Sequence, residues 1–221
     1  MKTIIATFAM ILITSLVFAQ LKGSGKPITK TYDYQNFNKV IFDDLDGKLE
    51  IEVGKPFSIS ITIDDNLLYL LNVSENAAVK KLTIALKGNN NNKLYIEDIK
   101  IKVKITMPFL MEVNNNGNSG LTVTNINAKN FKTGNPVNGS STLTGIVDNL
   151  EVINSGNGIL SAKQLIAKNA KIKATGNANV YLNVTETLTA KTSGNCTVVN
   201  SGKAKFNSKS SSSGNSRFVN N

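Results

Sequence analysis

Residues 155–160 read Ser-Gly-Asn-Gly-Ile-Leu, and the pattern returns as Thr-Gly-Asn-Ala-Asn-Val at 175–180 and as Ser-Gly-Asn-Cys-Thr-Val at 193–198. Each copy has a small or polar residue, a glycine, an asparagine and, four residues after the glycine, an apolar side chain. Looser copies extend the series, so that six glycines recur every 17 to 22 residues: Gly117, Gly139, Gly156, Gly176, Gly194 and Gly214. A repeat of this length indicates a solenoid.

The chemistry of the repeat explains why it would form coils. Glycine adopts positive φ without strain and asparagine tolerates it, so Gly-Asn is suited to a tight corner. Between corners, apolar residues alternate with polar ones, as in Val180, Leu182 and Val184, which is the period of a β-strand. One coil cannot bury its apolar face alone, whereas stacked coils can, with corner asparagines hydrogen-bonded to their copies. We therefore predict an all-β protein in which residues 117–221 form a right-handed parallel β-helix of about six coils.

Residues 37–116 are predicted to be a β region that packs onto the solenoid or continues it. Alternating apolar residues mark strands at 49–53, 57–63 and 99–107, and Pro108 ends the last of these. The aspartates at 43–46 with Gly47 are expected to form a hairpin turn, because a calcium loop needs further ligands at fixed spacing. Residues 67–71 could form a short helical turn. The polar residues 20–36 are expected to be a flexible arm.

The first 19 residues have the organisation of a signal peptide. Lys2 precedes an apolar run that ends at Phe18, which is short for a membrane span of roughly 20 residues. Small residues at Val17 and Ala19 fit cleavage after Ala19. We therefore expect an exported protein without a transmembrane segment, located in the periplasm, at the cell surface or outside the cell.

The composition excludes several kinds of enzyme. The chain has no histidine, which excludes Ser-His-Asp and Cys-His catalysis and histidine-ligated zinc. Its only cysteine, Cys196, indicates a packing role and excludes an intramolecular disulfide. The repeat half has three acidic residues, Asp148, Glu151 and Glu186, which is too few to argue for an acid–base pair. We predict a non-catalytic protein with no cofactor and no metal site.

Positive charge is concentrated in the repeat half. Residues 20–116 carry 13 lysines against 12 acidic residues, whereas residues 117–221 carry 10 lysines and one arginine against three. Such asymmetry suggests an anionic partner. Outside the cytoplasm we expect an acidic glycan, lipopolysaccharide or another envelope polymer rather than nucleic acid. The candidate binding residues are lysines of this half: Lys132, Lys171, Lys173, Lys191, Lys203, Lys205 and Lys209.

Several of these lysines share one position in the repeat, fifteen residues after a corner glycine. If the coils stack in that register, Lys171, Lys191 and Lys209 form a column. Like charges directly opposite each other destabilise a sheet by up to roughly 1 kcal/mol each. Such a column would therefore indicate an anion-binding stripe. The alternative is that the lysines extend into solvent and keep sheet edges from pairing with other chains.

Two parts of the chain resemble a known family. Residues 105–113, Ile-Thr-Met-Pro-Phe-Leu-Met-Glu-Val, followed by Gly117 and Asn118, resemble the strand–proline–strand–glycine course of the head GIN domain of putative autotransporter adhesins. Residues 61–68, Ile-Thr-Ile-Asp-Asp-Asn-Leu-Leu, and residues 82–84, Leu-Thr-Ile, are similar to the preceding part of that domain. The resemblance covers roughly residues 37–218. It implies one secreted or surface-exposed β-helical domain and no catalytic residues.

Together these features predict an exported, adhesin-like binding module of the envelope or cell surface that presents a basic face to acidic glycans or envelope polymers. One alternative is a structural or assembly role in the envelope. A third possibility is an enzyme that acts on acidic polysaccharides. The lysines favour the first function, and the shortage of carboxylates counts against the third.

Overall fold

The computed structural model of the protein describes residues 21–87, 96–97 and 100–221. The predicted signal peptide and the cleavage site after Ala19 lie outside these residues. Strands make up most of the described residues, and the helices are short, which confirms the all-β class. None of their helices is long and apolar enough to cross a membrane.

The secondary structure is a succession of strands interrupted, within the described ranges, by two short 3₁₀ helices, Asp65–Leu70 and Ala77–Val79. The first helix is the predicted helical turn. The strands are β1 (Leu21–Lys22), β2 (Pro27–Tyr32), β3 (Lys39–Asp43), β4 (Gly47–Val53), β5 (Ser58–Asp64), β6 (Leu71–Asn76), β7 (Lys81–Leu86), β8 (Ile96–Glu97), β9 (Ile101–Met107), β10 (Glu112–Asn116), β11 (Gly120–Asn135), β12 (Ser140–Asn154), β13 (Ile159–Gly176), β14 (Asn179–Gly194), β15 (Thr197–Asn200), β16 (Ser211–Gly214) and β17 (Arg217–Asn220).

Strands β11 to β14 are the long coils of a parallel solenoid. Each pairs in parallel with the next one along the chain. In β13 the buried side chains are at positions 160, 162, 165, 167, 170, 172 and 174. The steps of two are those of a strand, and the steps of three after 162 and 167 are bends. Each coil therefore consists of three short segments around one shared core, as the repeat predicts.

The N-terminal strands continue the solenoid. In parallel pairs, β10 joins β3 to β11, and β4 joins β9 to β11. Antiparallel pairs then extend these sheets outward, β5 with β9 and β2 on one side and β6 with β7 on the other. These outer strands cover the N-terminal end of the stack, where a solenoid needs a cap.

Two predictions for the N-terminal part differ from the structure. The arm predicted at residues 20–36 contains β2, which pairs along its full length with β5. Residues 43–47 are not a hairpin turn, because β3 pairs with β7 and β10 whereas β4 pairs with β9 and β11. They form a solenoid corner instead, in which Asp44 has a φ of 51°. The N–H of Asn118 in the next coil donates to the carbonyl oxygen of Leu45 at 3.2 Å.

The Gly-Asn corners stack directly on one another. Gly156, Gly176, Gly194 and Gly214 have φ values from 70° to 98°. Their asparagines form what we call the corner ladder, in which each Nδ2 donates to the Oδ1 of the preceding rung at 2.6 to 3.3 Å. The rungs are Asn118, Asn138, Asn157, Asn177, Asn195 and Asn215. This confirms the predicted hydrogen bonding between corners.

Gly139 is not the corner residue that the repeat predicts. Val137 occupies that place, because its carbonyl oxygen accepts from the N–H of Asn157 at 3.1 Å, and Asn138 rather than Ser140 provides the rung. Gly139 lies two residues later. A Cβ there would meet Asn115 Nδ2 at 2.6 Å, so glycine is required by close packing and not by the turn.

Buried amides brace the corners from inside. Asn115, Asn154 and Asn200 are at most 1% exposed, and each donates from Nδ2 to the carbonyl oxygen four residues later, at 2.9, 3.2 and 2.8 Å. Satisfying these carbonyl groups is what allows the chain to bend within the core. Cys196 is a buried free thiol, in agreement with a packing role.

Candidate functional site

Four of the predicted lysines share one surface. We call it the lysine face: the outer side of the segments that lead into the corners, at 39–43, 112–116, 131–135, 150–154, 170–176 and 188–194. It carries Lys132, Lys171, Lys173 and Lys191. The lysines alternate with buried residues such as Ile172, so the strand period directs them outward.

The predicted column of Lys171, Lys191 and Lys209 is wrong. Lys171 lies opposite Thr189, and Lys191 lies opposite Lys173. Lys209 lies in an exposed turn outside the paired strands. The structure therefore pairs two lysines, Lys173 and Lys191, instead of aligning three.

Coil length explains the error. Gly176 to Gly194 spans 18 residues, two fewer than Gly156 to Gly176. The register shifts that absorb this difference lie before position 169, so Gly176 and Gly194 remain opposite each other. Residues on the lysine face therefore lie opposite one another when they are equally far before the next corner glycine. Counting forward from the preceding glycine gives a register that is wrong by two residues.

One column of the lysine face alternates in charge. Across β3, β10, β11, β12 and β13, the residues opposite one another are Lys39, Glu112, Lys132, Glu151 and Lys171. Lys132 Nζ lies 3.5 Å from Glu151 Oε1. It is the one neighbouring pair of this column within ion-pair distance in the described structure. Exposed pairs of this kind add about 0–1 kcal/mol each, so the column is charge-compensated without being rigid.

The adjacent column contains like charges. Ile153, Lys173, Lys191 and Ser211 lie opposite one another in successive coils. Lys173 and Lys191 make no ion pair within the described residues. Together with Lys171 and the hydroxyl groups of neighbouring threonine and serine residues, they line an open groove of about 630 Å³.

Lys203, Lys205 and Lys209 are exposed but lie outside the lysine face. The first two are in the loop that follows β15, and the third is in a turn before β16. That turn is an insertion: Asn207 donates to the hydroxyl of Thr189 at 2.7 Å, and Ser211 lies opposite Lys191, two residues beyond Thr189. The step from Asn207 to Ser211 takes four residues, whereas the matching step from Thr189 to Lys191 takes two. The extra residues form the turn from which Lys209 protrudes.

Other charges of the repeat half are engaged elsewhere. The Lys168 ammonium group donates to Asp148 Oδ1 at 2.7 Å, and this hydrogen bond raises the pKa of Lys168. Lys163 lies over the ring of Tyr181, 4.6 Å from its centre. In the described ranges no group of three or more acidic or cysteine side chains is placed to hold a metal ion.

A second row of amides, which the sequence interpretation missed, borders the lysine face. Asn149 Nδ2 donates to Asn130 Oδ1 at 3.0 Å, Asn169 Nδ2 donates to Asn149 Oδ1 at 3.2 Å, and the hydroxyl of Thr187 donates to Asn169. We call this row the groove ladder. It forms one wall of an open groove of about 450 Å³ whose other wall is the column of alternating charge. The two grooves share Glu151, Lys171 and Thr189 and so form one continuous surface.

The fold defines the class of protein: a parallel β-solenoid with an antiparallel N-terminal cap. Residues 36–204 match the family described as "Putative auto-transporter adhesin, head GIN domain". The chain therefore belongs to this family, as its motifs predict. A comparison with curated proteins finds none that matches.

Solved structures of similar fold come from Bacteroides and Parabacteroides species. A "putative adhesin" from Bacteroides fragilis is 18% identical and has a TM-score of 0.63, covering 90% of this chain and 98% of its own. A "putative lipid binding protein" from Parabacteroides distasonis is 18% identical with a TM-score of 0.54, covering 91% and 99%. A "putative adhesin" from Parabacteroides merdae is 18% identical with a TM-score of 0.51, covering 91% and 98%. At this identity they show the fold; their names are those of adhesins and a lipid binding protein, not of enzymes.

Proposed function

We propose that this adhesin-like protein is exported and binds acidic polymers of the cell envelope or of a neighbouring surface through its lysine face. The observation that supports this function best is the pairing of Lys173 with Lys191 in adjacent coils, with no acidic partner in the described structure. Lys171 lies on the same surface groove. These three residues are the core of the proposed site.

Protection of sheet edges, a common role of surface lysines, does not explain Lys173 and Lys191. Lysines at sheet edges prevent pairing with other chains. Lys173 and Lys191 lie on β13 and β14, whose neighbouring strands pair on both sides at these positions. At strand separation, roughly 4.8 Å, their like charges oppose folding instead of protecting an edge. A carboxylate or sulfate group between them would relieve that repulsion.

The lining of the groove also suits a sugar polymer. Ile153 is 38% exposed and provides an apolar surface, while Thr175, Thr189 and Ser193 provide hydroxyl groups that donate and accept hydrogen bonds. Such a mixture can contact both the ring and the hydroxyl groups of a sugar, and the lysines contact its acidic group.

The test is binding of polygalacturonate by the purified protein at low and high salt. Lys171→Ser, Lys173→Ser and Lys191→Ser combined are expected to weaken binding at low salt by about tenfold or more, equal to about 1.4 kcal/mol. Salt should weaken binding by the unchanged protein, because exposed charges are screened within about 10 Å at 0.1 M.

The matched control removes three lysines elsewhere: Lys30→Ser, Lys100→Ser and Lys102→Ser, which are exposed on or beside β2 and β9. This control has the same net charge as the test variant and should retain most of the binding. Equal losses in the two variants would mean that net charge alone attracts the polymer. Binding that is absent, or indifferent to salt, would refute the proposed function.

A further inference from the structure

The column of alternating charge has a period that a ligand could match. Lys39, Lys132 and Lys171 are separated from one another by Glu112 and Glu151, so positive charge recurs at every second strand. Two strand separations amount to roughly 9.6 Å, twice the usual spacing of about 4.8 Å. A linear polymer along the solenoid axis meets a lysine, then a glutamate, then a lysine again.

Most of these charges remain available to a ligand. Lys132 and Glu151 approach each other, but their side chains are still 42% and 52% exposed. Lys171 makes no ion pair within the described residues, and Glu112 accepts only a 3.0 Å hydrogen bond from the Asn114 amide. Opposite charges therefore do not fully neutralise each other along the column.

The facing wall of the groove offers one amide side chain on each successive strand, from Asn130, Asn149 and Asn169. Asn169 uses one Nδ2 hydrogen to reach the preceding rung, and an asparagine amide has two. Among the described residues the amide of Asn130, at the end of the ladder, donates no hydrogen bond, and its Oδ1 accepts one from Asn149. Hydroxyl groups, which both donate and accept, can bond to these amides and to the glutamates of the opposite wall.

A repeating glycan fits this surface better than a peptide does. Peptides usually join sheets through free backbone groups at an edge, whereas β11, β12 and β13 are each paired on both sides. Recognition must therefore use side chains that repeat from coil to coil, and a ligand contacting several coils must itself repeat. A pyranose in an extended chain advances by a distance similar to one strand separation.

We infer that the groove between the groove ladder and the charge column binds an acidic glycan with a two-sugar repeat, in which one sugar is a uronate and the next is neutral. The uronates lie opposite the lysines, and the hydroxyl groups of the neutral sugars lie opposite the glutamates. This inference rests on the proposed function and adds selectivity to it: a polymer with a carboxylate on every sugar places some carboxylates against Glu112 and Glu151.

The experiment compares hyaluronan oligosaccharides, in which glucuronate alternates with N-acetylglucosamine, with oligogalacturonates of equal length. The unchanged protein is expected to bind hyaluronan about tenfold more tightly, with affinity that rises with length. Glu151→Gln should improve binding of the oligogalacturonate several-fold while hyaluronan affinity changes little. Equal affinity for the two glycans, or an equal gain for both in Glu151→Gln, would overturn the inference.

The groove ladder gives a second readout with a close control. Asn149→Ala with Asn169→Ala should weaken hyaluronan binding by about fivefold, the effect of losing about one net hydrogen bond. Asn157→Ala with Asn177→Ala removes neighbouring rungs of the corner ladder and should leave binding unchanged. Equal weakening in both double variants would overturn the inference, because it would show a structural effect.

The two glycans also separate failure of the proposed function from failure of the inference. If neither glycan binds in a salt-sensitive way, the proposed function fails. If both bind without selectivity, the proposed function stands and only the inference fails.

Discussion

Replacing Gly176 by alanine tests how closely the coils stack at their corners. Gly176 has a φ of 80°, and a Cβ would lie 2.7 Å from the carbonyl oxygen of Gly156 in the coil before. The left-handed conformation costs a residue with a Cβ about 1–2 kcal/mol. Moving the neighbouring backbone away from the new methyl group adds about 1–3 kcal/mol, the usual cost of overpacking.

Gly54→Ala is the matched control. Gly54 also has a positive φ, 91°, but nothing lies within 4 Å of a Cβ built there. It therefore reports the conformational cost alone. About 1 kcal/mol shifts the melting temperature of a chain of this size by about 2–4 °C. We therefore expect losses of about 4–20 °C for Gly176→Ala, from about 2–5 kcal/mol, and about 2–8 °C for Gly54→Ala, from about 1–2 kcal/mol.

The assay is thermal unfolding followed by circular dichroism for both variants and the unchanged protein. The difference between the two variants isolates the contact between coils, because the backbone cost is common to both. A Gly176→Ala variant no less stable than Gly54→Ala would refute the stacking of corners that fixes the register of the lysine face.

Two further predictions concern polar groups near the corners. Asn154→Ala removes a buried amide that donates to the carbonyl oxygen of Gly158, and it should lower the free energy of unfolding by about 1–3 kcal/mol in urea titrations. Burial, and then the charge of Asp43, raise the pKa of Asp44 above its ordinary value. The ionised form is thus disfavoured in the folded protein, so Asp44→Asn should stabilise it at neutral pH. The gain should shrink as the pH falls through the raised pKa and disappear below the ordinary pKa of an aspartate, where the carboxyl group is protonated in both the native and the unfolded protein.

An unchanged unfolding midpoint for Asn154→Ala would show that the amide does not brace its corner. A gain for Asp44→Asn that is equally large at neutral and acidic pH would show that the charge of this carboxylate is not the cause. In that case the better tolerance of asparagine for the left-handed conformation would explain the gain.

The corners could be predicted from sequence because their cause is local. Gly156-Asn157 and Gly176-Asn177 contain within two residues the conformational freedom and the amide that a stacked corner uses. Gly139 misled the prediction because a glycine can also be required by close packing, and only the neighbouring coil reveals which reason applies.

The lysine face could be located but not aligned. The alternation of polar and apolar residues around Lys191 predicts that this side chain points outward. Its partner in the neighbouring coil depends on where the 18-residue coil is shortened by two residues relative to the 20-residue coil before it. Packing of the whole coil decides this. The groove ladder did leave a signal: Asn130, Asn149 and Asn169 each precede an apolar residue at intervals of 19 and 20. Strand β2 left none, since its pairing with β5 satisfies backbone groups and needs no apolar pattern.

Lysine labelling shows whether Lys171, Lys173 and Lys191 contact an acidic polymer. The protein is acetylated briefly with and without polygalacturonate or hyaluronan, and the modification of each lysine is measured by mass spectrometry. We predict that the polymer protects Lys171, Lys173 and Lys191 while Lys30 and Lys102 are labelled as before. Protection spread evenly over all exposed lysines, or centred on another face of the solenoid, would show that these three lysines are not the binding site.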